Sequence, residues 1–258
     1  MSSAGSHVFS LNRDDGVVLR GRIDDPHGQG PIGIFLHGFR SHSNGRKGCA
    51  LADHAHHHGR AWLAFDLRGH GRSDGSPASL RVSALCADLD AVLARLAPRP
   101  VLLAGSSLGG WLAVLAAGRH PDQVRALLLV APAFNFIQKY FGALPPDELD
   151  RWRRRGTRRF NDQYSGDSYL LDYEMVEDAA RHDVFGGKIS LSCPVVVVHG
   201  DHDEVVPLAQ SRRFVDEIAP AGELVAVAGG DHRLATGIPQ LLAATDRLWS
   251  AAFGGVPC

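Results

Sequence analysis

The chain has 258 residues, long enough for one large domain with a full core. Its 45% apolar and 21% charged content is that of an ordinary globular protein. A formal net charge of -1 removes any global electrostatic case for nucleic acid or an anionic membrane surface, and apolar runs such as 124–133 are too short to span a bilayer.

The first two β-rich stretches, 7–13 and 17–23, flank Asp14-Asp15-Gly16. Asp-Gly between such runs predicts a hairpin turn. Continuous apolar runs follow at 31–36, 61–65, 101–104, 126–130 and 195–198. Runs rich in Val, Ile and Leu, apolar on both faces, suit parallel strands covered by helices on both sides. Helical patterns lie between and after them, at 45–58, 80–96, 108–120, 208–219 and 235–253. The alternation predicts an α/β fold, a doubly wound and mostly parallel sheet with right-handed crossovers. Residues 134–192 break the rhythm, being far longer than a normal connection. They hold Phe134, Phe136, Tyr140, Phe141 and Trp152, a basic helix candidate around Arg151-Trp152-Arg153-Arg154-Arg155, and a second helix candidate at 173–182. The expected organisation is a core of residues 1–133 and 193–258 with a small, mostly helical cap insert at 134–192.

Met1-Ser2-Ser3-Ala4-Gly5-Ser6-His7 has neither the charged nor the apolar region of a secretion signal. Cys49, Cys86, Cys193 and Cys258 fit no metal-ligand or Cys-x-x-Cys spacing. They are expected to be free, mostly buried thiols of a reducing compartment, which makes the cytoplasm the expected location.

Two stretches read Gly-x-Ser-x-Gly. Gly105-Ser106-Ser107-Leu108-Gly109 follows a strand-like run and opens directly into a helix-forming one. Strand, sharp turn and helix would push the Ser107 Oγ out above the sheet edge as a nucleophile. Gly71-Arg72-Ser73-Asp74-Gly75 lies in a polar loop and runs into Ser76-Pro77, so Ser73 is read as a loop residue. A Ser hydroxyl needs a base within hydrogen-bond reach, and the base needs an orienting acid. On this kind of sheet they follow in the order Ser, acid, His, each at the end of a later strand. The run 194–198 ends in His199-Gly200-Asp201-His202-Asp203-Glu204-Val205-Val206-Pro207, and the strand candidate 223–227 ends in Ala228-Gly229-Gly230-Asp231-His232. Asp203, mid-loop, is the acid chosen, with Asp201 the alternative or else a loop-ordering residue. His232 is the base, and His199 and His202 precede the acid, in the wrong order. Two backbone N–H donors must hold the oxyanion. Leu108, after the nucleophile, is one; Phe39, in the loop His37-Gly38-Phe39-Arg40-Ser41, is the other.

In order and spacing, Leu36-His37-Gly38-Phe39, the segment 65–73, Gly105 to Gly110, the segment 199–207 and Gly230-Asp231-His232 resemble the α/β-hydrolase superfamily. The resemblance implies the α/β-hydrolase fold, a triad of Ser107, Asp203 and His232, oxyanion donors at Phe39 and Leu108, and no metal or organic cofactor. The wider run Gly105-Ser106-Ser107-Leu108-Gly109-Gly110-Trp111, with Ser192-Cys193-Pro194 before the acid strand, is similar to a narrower branch. That branch holds the mitochondrial palmitoyl-protein thioesterases of the α/β-hydrolase-domain group and their bacterial relatives. It implies hydrolysis of a small-molecule acyl ester or thioester through an acyl-enzyme. The chain lacks an evident transit peptide. A Ser nucleophile argues against haloalkane dehalogenase or epoxide hydrolase chemistry. Carbon–carbon bond hydrolysis and peptidase activity use the same triad, and a non-catalytic ligand-binding protein is the rival of a different class.

Three features have plainer readings. His54 and His58 form an i, i+4 pair that could hold a divalent metal, but no carboxylate or Cys completes the set nearby in the chain. The basic run 151–159 reads as a solvated cap helix, with a site for a carboxylate, phosphate or acidic partner as the alternative. Gly69-His70-Gly71 reads as a tight structural loop beside the nucleophile.

Overall fold

A computed structural model describes residues 6–161, 166–187 and 189–254. Residues 1–5 of the N-terminus and Cys258 lie outside them. The chain opens with β1 (Ser6–Asn12), β2 (Val18–Asp24) and β3 (Ile32–Leu36), then α1 (Arg46–His57), β4 (Ala61–Phe65) and α2 (Val82–Leu96). Next come β5 (Val101–Ser106), α3 (Leu108–Arg119) and β6 (Val124–Val130). A long excursion carries α4 (Pro146–Arg155), β7 (Thr157–Asn161), β8 (Ser168–Asp172) and α5 (Glu174–Ala179). The chain closes with β9 (Val195–Gly200), α6 (Leu208–Glu217), β10 (Glu223–Val227) and α7 (Ile238–Phe253).

Eight strands form one sheet in the order β1-β2-β4-β3-β5-β6-β9-β10. Only the β1–β2 and β2–β4 pairs are antiparallel. The first is the expected hairpin, with Gly16 at φ +84° in its turn. Successive residues on a strand face opposite sides, so the sheet has a core on each face. Ile32, Ile34, Leu36, Val101 and Leu103 join side chains of α2 and α3 on one face. Phe35, Leu102 and Ala104 join Leu51 of α1 and Leu241, Ala244 and Leu248 of α7 on the other. That double cover is why these strands read as unbroken apolar runs.

The register aligns the C-terminal ends of the parallel strands. Leu36 lies beside Gly105, Ser106 beside Val130, Val130 beside Val198, and Gly200 beside Val227. The loops leaving β3, β5, β6, β9 and β10 therefore gather on one rim, where open α/β sheets bind ligands.

Between β6 and β9 the expected helices are found, but a hairpin joins them: β7 and β8 pair antiparallel. Their outward positions carry Thr157, Arg159, Ser168 and Leu170, and the half-buried alternation is too short and too basic to stand out in the sequence. The rings of Trp152, Phe160 and Phe141 pack edge to face beneath it, and the Trp152 Nε1–H donates to the Leu171 carbonyl at 3.0 Å. The cysteines are less buried than expected. Cys86 is buried, Cys193 is half-buried and Cys49 is exposed, because position 49 falls off the buried stripe Gly48, Leu51 and Ala55 of α1.

One close contact fixes the middle of the sheet. A Cβ on Gly33 would lie 2.0 Å from Cζ3 of Trp62, which is fully buried on the neighbouring strand. Gly33→Ala is expected to destabilise the protein by about 1–3 kcal/mol or more, the usual range for overpacking a core. Urea denaturation measures it, and an unchanged midpoint would contradict the packing.

Candidate active site

Ser107 sits between β5 and α3 at φ +55° and ψ -116°. A non-glycine residue at such an angle is strained. The turn survives because glycines let backbones touch: a Cβ on Gly105 would lie 2.3 Å from the Gly109 carbonyl oxygen, and one on Gly109 would lie 2.1 Å from that of Leu36. The Ser107 N–H donates to the Val130 carbonyl at 2.9 Å, and the Ser107 carbonyl accepts from Ala133 N–H at 3.1 Å.

Ser107, Asp203 and His232 come together on this rim. His232 Nε2 is 3.2 Å from Ser107 Oγ, and His232 Nδ1 is 2.7 Å from Asp203 Oδ2. Nδ1 therefore carries the proton that Asp203 accepts, leaving Nε2 as the acceptor toward the hydroxyl. The loops that hold Asp203 and His232 are zipped to each other. His202 N–H donates to the Gly230 carbonyl at 3.0 Å, and Asp201 Oδ1 accepts from Gly229 N–H at 2.7 Å. Asp201 thus orders the loop rather than meeting His232. Lys47 of α1 ties the same region down, its ammonium donating to the Arg233 carbonyl at 3.1 Å, and burial pushes its pKa down to about 8.

Asp203 is buried, with its oxygens saturated. Oδ1 accepts from Val205 N–H at 2.9 Å and Val206 N–H at 2.8 Å. Oδ2 receives His232 and also His199, whose Nε2 is 3.1 Å away. Burial opposes ionisation, but the hydrogen bonds from His199, His232 and Val206 N–H outweigh it and hold the carboxyl well below its usual range. The fully buried His199, which precedes Asp203 in the chain, does not touch Ser107. It instead supports Asp203: Nε2–H is shared between that carboxylate and the Val206 carbonyl at 2.9 Å, and Nδ1 accepts from Ser211 Oγ at 2.7 Å.

The Gly38–Phe39 turn runs beside the hydroxyl, since a Cβ on Gly38 would lie 3.6 Å from Ser107 Oγ. Among the described residues the N–H groups of Phe39 and Leu108 have no hydrogen-bond acceptor. Leu108 is the first residue of α3, where an N–H has no partner within the helix. His37, more than a strand-ending residue, holds the turn. Its Nδ1–H donates to the Gly38 carbonyl at 2.8 Å, and Nε2 accepts from Leu67 N–H at 2.9 Å. Burial pushes its pKa down to about 4, so the neutral ring that makes both bonds is the stable one.

The loop 69–73 is scaffolding, as expected. Asp66 accepts from Ser43 N–H at 2.7 Å and Arg72 N–H at 2.9 Å, and a Cβ on Gly71 would collide with its carboxylate. Ser73 is buried, its hydroxyl donating to the Asp66 carbonyl at 2.5 Å and accepting from Arg20 N–H at 2.8 Å. Three arginines of the basic run are paired with neighbours: Arg151 meets Asp147 at 3.1 Å, Arg153 meets Glu177 at 3.5 Å and Arg158 meets Glu148 at 2.5 Å. One expectation is corrected. A carboxylate does reach the His54–His58 pair: Asp246, far along the chain on α7, lies 2.9 Å from His54 Nε2. Arg60 takes the same oxygen at 2.5 Å, so the cluster is a charge-matched clasp between α1 and α7 and is assigned no metal.

A profile of the alpha/beta hydrolase fold family matches residues 34–172. Palmitoyl-protein thioesterase ABHD10, mitochondrial, from Rattus norvegicus is 32% identical over 209 residues, covering 80% of this chain and 70% of that protein. A monoacylglycerol lipase from Mycolicibacterium smegmatis is 30% identical over 230 residues, covering 76% and 77%. The structure of alpha/beta hydrolase domain-containing protein 10 from mouse superposes with a TM-score of 0.83 at 31% identity, covering 94% of this chain and 98% of that one. The chain belongs to the α/β-hydrolase family, as a hydrolase of its thioesterase-like branch.

His37 gives a pH prediction. An imidazole at about 4 when folded and near 6.5 when unfolded binds more protons in the unfolded chain between those values. Its contribution to stability is full above 6.5 and is lost as pH falls toward 4. Tm is expected to fall more steeply over that window in the wild type than in His37→Gln. Equal slopes in thermal melts would show that the ring is not held neutral by folding.

Proposed function

We propose that the protein hydrolyses a carboxylic ester or thioester through an acyl-enzyme on Ser107. The observation that carries this reading is the position of one imidazole, 3.2 Å from a strained serine hydroxyl and 2.7 Å from an ionised, buried carboxylate. His232 Nε2 takes the Oγ proton as Oγ attacks the acyl carbon, and Asp203 stabilises the imidazolium that forms. The N–H groups of Phe39 and Leu108 receive the oxyanion, helped by the positive end of α3. His232 gives its proton to the leaving alkoxide or thiolate as the carbon–oxygen or carbon–sulfur bond breaks. Water, deprotonated by the same imidazole, then releases the acid and restores Ser107.

Ester and thioester cleavage is preferred to carbon–carbon or peptide bond hydrolysis because both named relatives, the thioesterase and the lipase, cleave acyl groups from sulfur or oxygen. An ordered, fully hydrogen-bonded triad argues against a ligand-binding protein without turnover, which would need none of the three. Residues 134–192 act as the cap, bringing Phe136 and Tyr169 against the ring of Phe39, with 1–133 and 193–258 as core. Among the described residues no helix is long and apolar enough to cross a membrane, and Cys49, Cys86 and Cys193 are unbridged. We assign the protein to a reducing compartment such as the cytoplasm; the name of the thioesterase relative places that protein in mitochondria.

Ser107→Ala is expected to lower kcat on p-nitrophenyl butyrate by roughly 10⁴ or more; near-wild-type turnover would remove Ser107 from the scheme. Asp203→Asn should be severe and Asp201→Asn mild, and the reverse ranking in the same assay would reassign the acid. His199→Phe, which keeps the volume but removes a hydrogen bond to a charged group, should lower kcat by about tenfold to a hundredfold with little change in KM. An unchanged kcat would reduce His199 to packing.

A further inference from the structure

We infer that the substrate carries an anionic carboxylate or phosphate group, which a cationic chamber beside the triad receives. This rests on the ester and thioester reading above and narrows it. The chamber is a cavity of about 430 Å³ between the acid loop and the segment that follows β6. Its walls are continuous with the catalytic supports. Ala133 in its lining gives the N–H bound by the Ser107 carbonyl. Val205 and Val206 give the N–H groups bound by Asp203. Phe136, on the opposite wall, packs against Phe39 with ring centroids 5.9 Å apart. An occupant of this space would lie against the residues that brace the Ser107 turn and the Asp203 loop, while the triad side chains themselves are not among its lining.

The lining is mainly apolar, but among the described residues its charged members are Lys139 and Arg213, with no carboxylate. Lys139 is aimed by a chain of contacts: its ammonium donates to Gln210 Oε1, and the buried Gln210 turns its amide by donating Nε2–H to the Pro132 carbonyl at 3.2 Å. One of three ammonium donors is used there, and two remain for an incoming oxyanion. Arg213 is held over the face of Phe185, 4.1 Å from the ring centroid, and braced by Glu217 at 2.8 Å on its own helix. Asp183 is the carboxylate near both cations, yet its Oδ1 is engaged by Asn135 and by Phe185 N–H at 2.9 Å. Partial burial and the neighbouring Arg213 charge push the Lys139 pKa down, against the opposing pull of Asp183.

An apolar chamber whose two charged lining residues are both cations favours an amphiphile with a negative end, which would share Arg213 with Glu217 and lie near Asp183. Lys139 and Arg213 are both exposed, so the charged end of an occupant would sit at the mouth of the chamber and its apolar part within. The anion could be carried by the acyl chain, as a terminal carboxylate, or by the leaving group, as phosphate, and the two are separable.

Two substrate pairs test this at fixed low ionic strength. The first is the p-nitrophenyl monoester of a ten-carbon diacid against p-nitrophenyl decanoate. The second is decanoyl-coenzyme A against decanoyl-N-acetylcysteamine. In one pair the anionic member should have a kcat/KM about tenfold higher or more, as expected for hydrogen bonds to a charged group. Lys139→Met and Arg213→Met should abolish that preference while leaving p-nitrophenyl butyrate turnover unchanged. A preference in the first pair puts the anion on the acyl chain, and one in the second puts it on the leaving group. Calorimetric titration with decanoate and decanamide reads binding without turnover; decanoate should bind at least about tenfold tighter, and only in the presence of Lys139. Equal treatment of charged and neutral members in both pairs and in the titration, or a preference that survives both substitutions, would overturn the inference. Failure to hydrolyse any ester or thioester would instead overturn the acyl-hydrolase reading, and the titration would still decide the anion site.

Discussion

The hydrogen bond from His232 Nδ1 to Asp203 Oδ2, 2.7 Å long, joins two loops on which the rest of the rim depends. It sets the tautomer of the imidazole and so decides that Nε2 faces Ser107 as an acceptor. It also requires Asp203 to stay ionised in a buried position. Isolated, that carboxylate would be costly to bury. Here both oxygens are saturated, one by two backbone N–H groups and the other by two imidazoles, so the charge is stabilised without exposure to water.

Backbone proximity is the means by which the sheet delivers these loops. Gly105 and Gly109 allow the strained turn at Ser107, and Gly109 also lies against the Leu36 carbonyl, which sets the Gly38–Phe39 loop beside Ser107. Gly200 and Gly230 meet in the same way, with a Cβ on Gly200 falling 2.1 Å from the Gly230 carbonyl oxygen. These contacts couple β3 to β5 and β9 to β10 at the ends that matter. His37 then links the loop after β3 to the loop after β4, and Lys47 anchors the loop after β10 to α1. The site is thus held by main-chain contacts and buried polar side chains, each tied to the adjoining strand.

Much of this was legible in the chain. Unbroken apolar runs located the parallel strands because both faces of the sheet are covered. The two glycine-flanked serines could be told apart because Ser107 leads into helix-forming sequence and Ser73 into Ser76-Pro77. What escaped depends on residues meeting through space. His199 reads as an extra histidine until the fold turns Val206 and Asp203 back over it. Asp246 meets His54 only when α7 packs on α1. The β7–β8 hairpin has a turn residue in Gly166, at φ +74°, but carries arginines where a strand would ordinarily show alternation. The chamber lined by Lys139 and Arg213 brings together two segments far apart in sequence, and only their common side at the rim reveals the shared sign of charge.

Active-site labelling tests the central claim most directly. Incubation with a fluorophosphonate at neutral pH, followed by peptide mapping by mass spectrometry, should find the adduct on Ser107 in the wild-type protein and no adduct in His232→Ala. Labelling of another serine, or undiminished labelling of Ser107 without the imidazole, would contradict a hydroxyl activated by His232.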